Sequence, residues 1–308
     1  MSPKIVGSAM VLTASIAWGI SGVSGQYLLQ RGISVNAVTS LRLVIAGAVL
    51  VAIVALRNPK SIVQAMRTPA FLKDMLLFAI FGIVANQFAY LQAIHYTNAG
   101  TATVLQYLTP VTVLAYTCFK NRIPPALLEI LAVILAMSGT YLLATHGELN
   151  SLAINPKGLF WGIFSSFTYT AYIILPVKIV QQWGSLLSIG MSMLVGGGLF
   201  SLGSHVWTEK FIWDGPIILG YLGIIGVGTI IAYTLFLKGA AYTGPVQSSL
   251  LASLEPVASV VFTVAMFHAS FYPADFVGMI TIVIAALMIS LKHYIARLFT
   301  HPLRRRKA

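Results

Sequence analysis

The sequence predicts an all-α integral membrane protein: ten transmembrane helices in two inverted five-helix repeats around a central cavity. Three observations predict this. The 308-residue chain is 58% hydrophobic and 8% charged, whereas soluble domains carry about 25% charged residues. Its apolar residues fall into about ten runs, each close to the ~20 residues that a helix needs to cross hydrocarbon. Residues 91–117 recur in 237–263 at a constant shift of 146.

The runs lie near 5–27, 34–56, 75–95, 100–119, 126–145, 158–178, 185–204, 214–237, 246–267 and 274–292. The first is too long for the apolar core of a signal peptide and is expected to be an uncleaved span. The uncharged stretch 75–119 exceeds one helix, so a turn is expected at His95-Tyr-Thr-Asn-Ala-Gly100, its only turn chemistry. Charge sets the orientation. With both termini in the cytoplasm, 15 Lys and Arg fall in inner loops or tails and 3 (Arg31, Lys157, Lys210) in outer ones. The positive-inside rule accounts for that split. The expected location is the inner membrane of a bacterium. The terminal Arg304-Arg-Arg-Lys307 run is a stop signal and solubilising tail, or a contact for anionic lipid.

The internal repeat pairs Leu91/Leu237, Tyr96/Tyr242, Thr97/Thr243, Leu105/Leu251, Leu108/Leu254, Pro110/Pro256, Val111/Val257 and Thr117/Thr263, eight identities in 27 ungapped positions. An odd number of spans per half makes the second half enter the membrane from the opposite side. Inverted repeats mark many alternating-access transporters, with substrate bound near the midplane. The expected units are 1–147, 148–296 and a basic cytoplasmic tail, 297–308.

Glu255 is the most informative residue. It sits about ten residues into the ninth run, roughly 15 Å deep at 1.5 Å per residue. A carboxylate there costs roughly 2.5 kcal/mol or more, so it should face a cavity or a partner charge. It can bind a proton or a substrate cation, or make a structural hydrogen bond. Ser248, Ala252, Glu255 and Ser259 are spaced to share a face. Pro256 frees the carbonyl of residue 252, which then needs another partner, and Pro110 is its counterpart in the first half. Arg42, about eight residues into the second run, can pair with Glu255, bind a substrate carboxylate or snorkel to the surface. Glu129, at the start of the fifth run, is expected to snorkel towards Lys120 or Arg122.

The other mid-depth polar and aromatic residues are Trp18, Asn86, Tyr90, Gln106, Tyr107, Tyr169 and Tyr172. Asn and Gln in hydrocarbon need partners, and aromatic side chains beside them can box a cationic or planar group. Each alone is also an ordinary packing residue. Their shared depth makes them the candidate substrate site, with Asn86 and Gln106 orienting polar groups and the aromatics as walls.

No nucleophile with a nearby base, no ATP-binding motif and no metal-ligand spacing among the six His is present. No cofactor, metal or nucleic-acid partner is therefore expected; the partners are the bilayer, a small-molecule substrate and protons as a candidate coupling ion. The rival functions are a passive facilitator or channel, an intramembrane enzyme and a scaffold.

Trp18-Gly19, Ser40-Leu-Arg42, Leu108-Thr-Pro110, Glu255-Pro256, and Gly139 and Gly278 in the closing helices of each half give the chain a specific likeness. It resembles EamA-type members of the drug/metabolite transporter superfamily. That resemblance implies ten helices in two inverted halves around a central cavity, and transport of small metabolites, often export of amino acids or related compounds. The Gly-Glu pair that such proteins often carry after the fourth and ninth spans is replaced here by Phe119-Lys-Asn-Arg122 and Phe267-His-Ala-Ser270.

Overall fold

A computed structural model describes residues 3–148, 153–209, 211, 213–243, 248 and 251–291. The predicted tail 297–308 and Lys210, Lys292, His293 and His301 lie outside the described residues. The described residues are helical, with no strand among them. We number the main helices α1 (Pro3–Gln30), α2 (Val35–Arg57), α3 (Pro69–Tyr96), α4 (Ala99–Asn121), α5 (Leu127–Thr145), α6 (Pro156–Trp183), α7 (Ser185–Gly203), α8 (Gly215–Thr243), α9 (Leu254–Phe267) and α10 (Pro273–Ser290). The first eight are long and apolar enough to cross a membrane, while α9 and α10 are shorter apolar helices. A short extra helix, Pro59–Met66, joins α2 to α3.

Local sequence explains where the helices start. Side chains of Ser34, Asn98, Asn155 and Asp214 accept hydrogen bonds from the backbone N–H of Ala37, Thr101, Lys157 and Ile217 at 3.1, 2.9, 2.9 and 2.8 Å. Each satisfies one of the N–H groups that a helix start leaves without a partner. The α3–α4 turn falls at Thr97-Asn98, inside the segment where it was expected. Helix α3 starts at Pro69, six residues before the apolar run, because Lys73 and Asp74 extend it rather than ending it.

Glu129 departs from expectation. It is buried, and its Oε2 accepts from the Ala126 N–H at 2.7 Å. The carboxylate caps the start of α5 instead of snorkelling, because the open N–H groups there lie nearer than the surface cations. At the opposite ends, Arg122 and His268 terminate α4 and α9 with φ of 53° and 49°. They are 146 residues apart, and they occupy the left-handed cap that glycine adopts most readily.

The bundle is held by close backbone approach. Gly139 of α5 and Gly278 of α10 face each other so closely that a Cβ on either would lie 2.6 Å from the other's carbonyl oxygen. A Cβ on Gly47 of α2 would collide with the Leu194 backbone of α7. Small residues at such crossings gain helix contact where lipid gives no hydrophobic drive. Large apolar side chains such as Phe119, Leu127, Met137, Phe160 and Leu222 point outward, as a lipid-facing surface requires. The packing is paired: α2 lies on α7, α4 on α9 and α5 on α10, while α1 lies on α8 and α9, and α6 on α3 and α4. Exchanging helix n for n+5 leaves this set of contacts unchanged.

Candidate functional site

Two kinds of helix defect shape the centre of the bundle, and each occurs once in either half at overlapping positions under the shift of 146. Wide π-turns run through α3 at Phe78–Val84 and through α8 at Leu222–Ile231; such turns are rare and concentrate at functional sites. The second defect is a break before the proline. Helix α4 stops at Gln106 and restarts at Thr109, and the chain before α9 is broken at Ser253.

Each proline frees a carbonyl four residues earlier. In the first half Thr109 Oγ1 donates to the Gln106 carbonyl at 2.5 Å. In the second half Tyr107 donates its hydroxyl to the Ala252 carbonyl at 2.7 Å, across the halves. Position 109 plus 146 is 255. Glu255 thus stands where the first half has its capping threonine, with the capping role taken over by Tyr107. The expected single face of Ser248, Ala252, Glu255 and Ser259 is interrupted at Ser253, so only Glu255 and Ser259 share α9.

A cavity of about 300 Å³ lies among these defects. Trp18, Arg42, Asn86, Tyr90, Gln106, Tyr107, Tyr169, Tyr172 and Glu255 all line it. The sequence-selected residues are therefore brought together around one space; Pro110 lines an adjoining cavity and Pro256 is buried beside the site. Gln106 Nε2 donates to Asn86 Oδ1 at 3.0 Å, fixing both amides. Tyr169 stacks on Tyr172 at 5.5 Å, and Trp18 meets Tyr233 and Phe236 at 5.7 and 5.1 Å.

Arg42 does not snorkel. It is buried, and its Nε donates to Thr229 Oγ1 of α8 at 3.0 Å. Nor does it pair directly with Glu255; the contact between a basic and an acidic side chain among the described residues is His146–Asp275, which joins the end of α5 to the start of α10. A guanidinium and a carboxyl group therefore border one cavity without touching.

Tyr233, Phe236, Phe78 and Gln87 also line the cavity and were not selected from the sequence. For two lining positions a signal existed: Tyr90 and Gln106, shifted by 146, give Phe236 and Ala252. Phe78 and Tyr233 carry no such signal, since an aromatic residue in an apolar run reads as packing.

On the side of the α3–α4 turn, hydrogen bonds tie the start of α4 to its neighbours. Gln26 Oε1 accepts from the Ala99 N–H at 2.8 Å and Thr263 Oγ1 from the Gly100 N–H at 3.1 Å. Tyr90, Thr103 and Ser259 hydroxyls join at 2.7 and 3.1 Å. Away from that turn, the adjoining cavity of about 700 Å³ shares Gln106, Tyr107, Tyr169, Tyr172 and Ala252 with the first and reaches Thr117 and Ile289 near the opposite helix ends.

Comparison with known proteins agrees with this architecture. The model of the EamA-like transporter family matches twice, over residues 5–145 and 156–291. An uncharacterized inner membrane transporter, YicL of Salmonella typhimurium strain LT2, is 33% identical over 286 residues, covering 92% of this chain and 95% of that protein. A solved crystal structure with 19% sequence identity shares the fold, with a TM-score of 0.60 over 98% of this chain and 99% of that one. The chain is a multi-pass membrane transporter and belongs to the EamA-like transporter family.

Proposed function

We propose that the protein is a secondary active transporter of the bacterial inner membrane that exports a small zwitterionic metabolite, an amino acid or related compound, by alternating access. The observation that carries this is a guanidinium and a carboxyl group, those of Arg42 and Glu255, on one aromatic-walled cavity without a direct bond. Removing one partner from a buried charge pair is strongly destabilising because the other is left uncompensated. A zwitterion supplies both missing partners: its carboxylate meets the guanidinium and its ammonium meets the carboxylate. Tyr169, Tyr172, Trp18 and Tyr90 bound the remaining space with π faces. About 300 Å³ is at the small end of ligand pockets, which suits a metabolite rather than a polymer.

Ten spans in two inverted halves, 1–147 and 148–296, are part of the same proposal. Support comes from the doubled π-turns, the doubled breaks and the exchange symmetry of the packing. Charge puts both termini in the cytoplasm, and in that orientation the side of the α3–α4 turn faces out and the side of the adjoining cavity faces in. Labelling of single cysteines is expected to reach position 151, outside the described residues, from the periplasmic side, and position 61 only after permeabilisation. The opposite pattern would reverse the assignment of the two sides.

Substrate class is tested by thermal shift of the purified protein against amino acids, the amines left by removing their carboxyl group and the acids left by removing their amino group. A ligand at ten times its Kd stabilises the folded state by about 1.4 kcal/mol. Zwitterions are expected to raise Tm more than either truncated form. Equal shifts for a zwitterion and its amine would remove Arg42 from substrate binding; shifts by none would remove the zwitterion proposal.

A further inference from the structure

Thr229 of α8 holds an unusual position beneath Arg42. It is fully buried, and its hydroxyl donates to the Ile224 carbonyl five residues earlier at 2.8 Å. That spacing belongs to the π-turn Leu222–Ile231. An ordinary helical turn would present the carbonyl of Ile225 instead. With its only proton committed to Ile224, the hydroxyl can act towards Arg42 solely as an acceptor, and it takes the Nε–H at 3.0 Å. The turn is itself fixed. Gly223 and Gly228 press against Ser24 and Ser21 of α1 so closely that neither position has room for a Cβ.

A guanidinium can receive a carboxylate along either of two edges, one formed by Nε and an Nη, the other by the two Nη groups. Thr229 occupies the first edge. Arg42 lines the cavity, and the Nη pair is the edge left for a ligand. The repeat underlines the specificity of the pairing: the positions equivalent to Arg42 and Thr229, at a shift of 146, are Ser188 and Ile83. Neither partner of the contact has a chemical counterpart in the other half, so the pair is peculiar to one side of the cavity.

We propose that Thr229 is a positioning residue for transport: the π-turn in α8 holds Arg42 by Nε so that its two Nη groups receive the anionic group of the substrate end-on. The role assigned to that anionic group rests on the zwitterion proposal above; the placement of the guanidinium does not.

The test uses the full-length protein and no substrate. Phenylglyoxal condenses with the Nη nitrogens of arginine, and mass spectrometry of the Arg42 peptide gives the rate at that residue alone. Thr229→Val keeps the shape and removes the acceptor, Thr229→Ala removes it without bulk, and Thr229→Ser retains it. Without the acceptor the buried Nε–H must find another partner and turns the Nη edge away from the cavity. Labelling of Arg42 is expected to slow about fivefold in the Val and Ala variants and to stay within about twofold of the parent in the Ser variant. Equal rates in all four proteins would overturn the proposal, as would a Ser variant as slow as Val. Unfolding would speed labelling, the opposite direction, and would show as a lost thermal transition; the Ser and Ala variants then decide. Slowed labelling in a protein that no amino acid stabilises would keep the role of Thr229 in placing Arg42 and discard the zwitterion.

Discussion

Glu255→Gln is expected to abolish uphill, pH-driven transport while leaving the protein folded. The carboxyl sits in the first turn of α9, next to Pro256, and lines the same cavity as Arg42. If it carries the coupling proton, it must release that proton in one access state and regain it in the other, so its surroundings must change through the cycle. Glutamine keeps the size and the hydrogen-bonding oxygen and removes the titration. One coupled proton and a pH step of one unit sustain at most about tenfold accumulation, since one unit is worth about 1.4 kcal/mol. Proteoliposomes of the parent protein should approach that ratio with radiolabelled amino acid, and those of the variant should stay near about one-to-one. Exchange of labelled for unlabelled substrate needs no net proton movement, so it should survive at raised substrate concentration, weakened by the loss of the carboxylate that meets the ammonium. A Gln variant that still accumulates substrate with the parent pH profile would make Glu255 structural and move the coupling elsewhere.

The residues that converge on the cavity were legible because hydrocarbon makes polar groups conspicuous. Asn86, Gln106, Arg42 and Glu255 stand out in runs that otherwise hold apolar side chains, and burying each without a partner is costly. Depth alone then grouped them with their aromatic neighbours. Thr229 was not legible for the converse reason. A threonine in a helix satisfies its own hydroxyl on a backbone carbonyl and looks like any β-branched residue in the run; only the π-turn turns that habit into a fixed acceptor. The π-turns leave no periodic trace, and Gly82 and Gly228, equivalent at the shift of 146, become informative only once the turns are seen. Glu129 misled because its depth near a helix start is the same for a snorkelling residue and a cap. The repeat was the strongest sequence signal for the fold. At the same shift Tyr90 and Gln106 fall opposite Phe236 and Ala252, and Thr109 opposite Glu255, but only the fold shows that these positions line one cavity and that Thr109 caps a carbonyl.

Loosening the hydrogen bonds at the start of α4 should expose the cavity to the outside. The first N–H groups of α4 have no partner within their own helix. Ala99 uses Gln26 of α1, and Gly100 uses Thr263 of α9. These two bonds tie the start of α4 to helices on both sides of it, and under the proposed orientation and alternating access they break when the outer face opens. In an outward-open state the same N–H groups meet water, so the bonds favour the outward-closed state by their net worth, about 1 kcal/mol each. Gln26→Leu with Thr263→Val removes both acceptors while nearly conserving volume. About 2 kcal/mol is a shift of roughly thirtyfold in the ratio of the two states. The readout is a cysteine at Ala252, a half-buried residue that lines the cavity, in a chain whose own Cys118 has been replaced by alanine. A membrane-impermeant maleimide applied from outside should label it at least about tenfold faster in the double variant. The same reagent applied from inside should label it more slowly. General loosening of the fold would raise both rates together, so the opposite signs separate a shifted equilibrium from damage. Unchanged rates on both faces would mean that the Gln26 and Thr263 bonds hold helices in place without governing access.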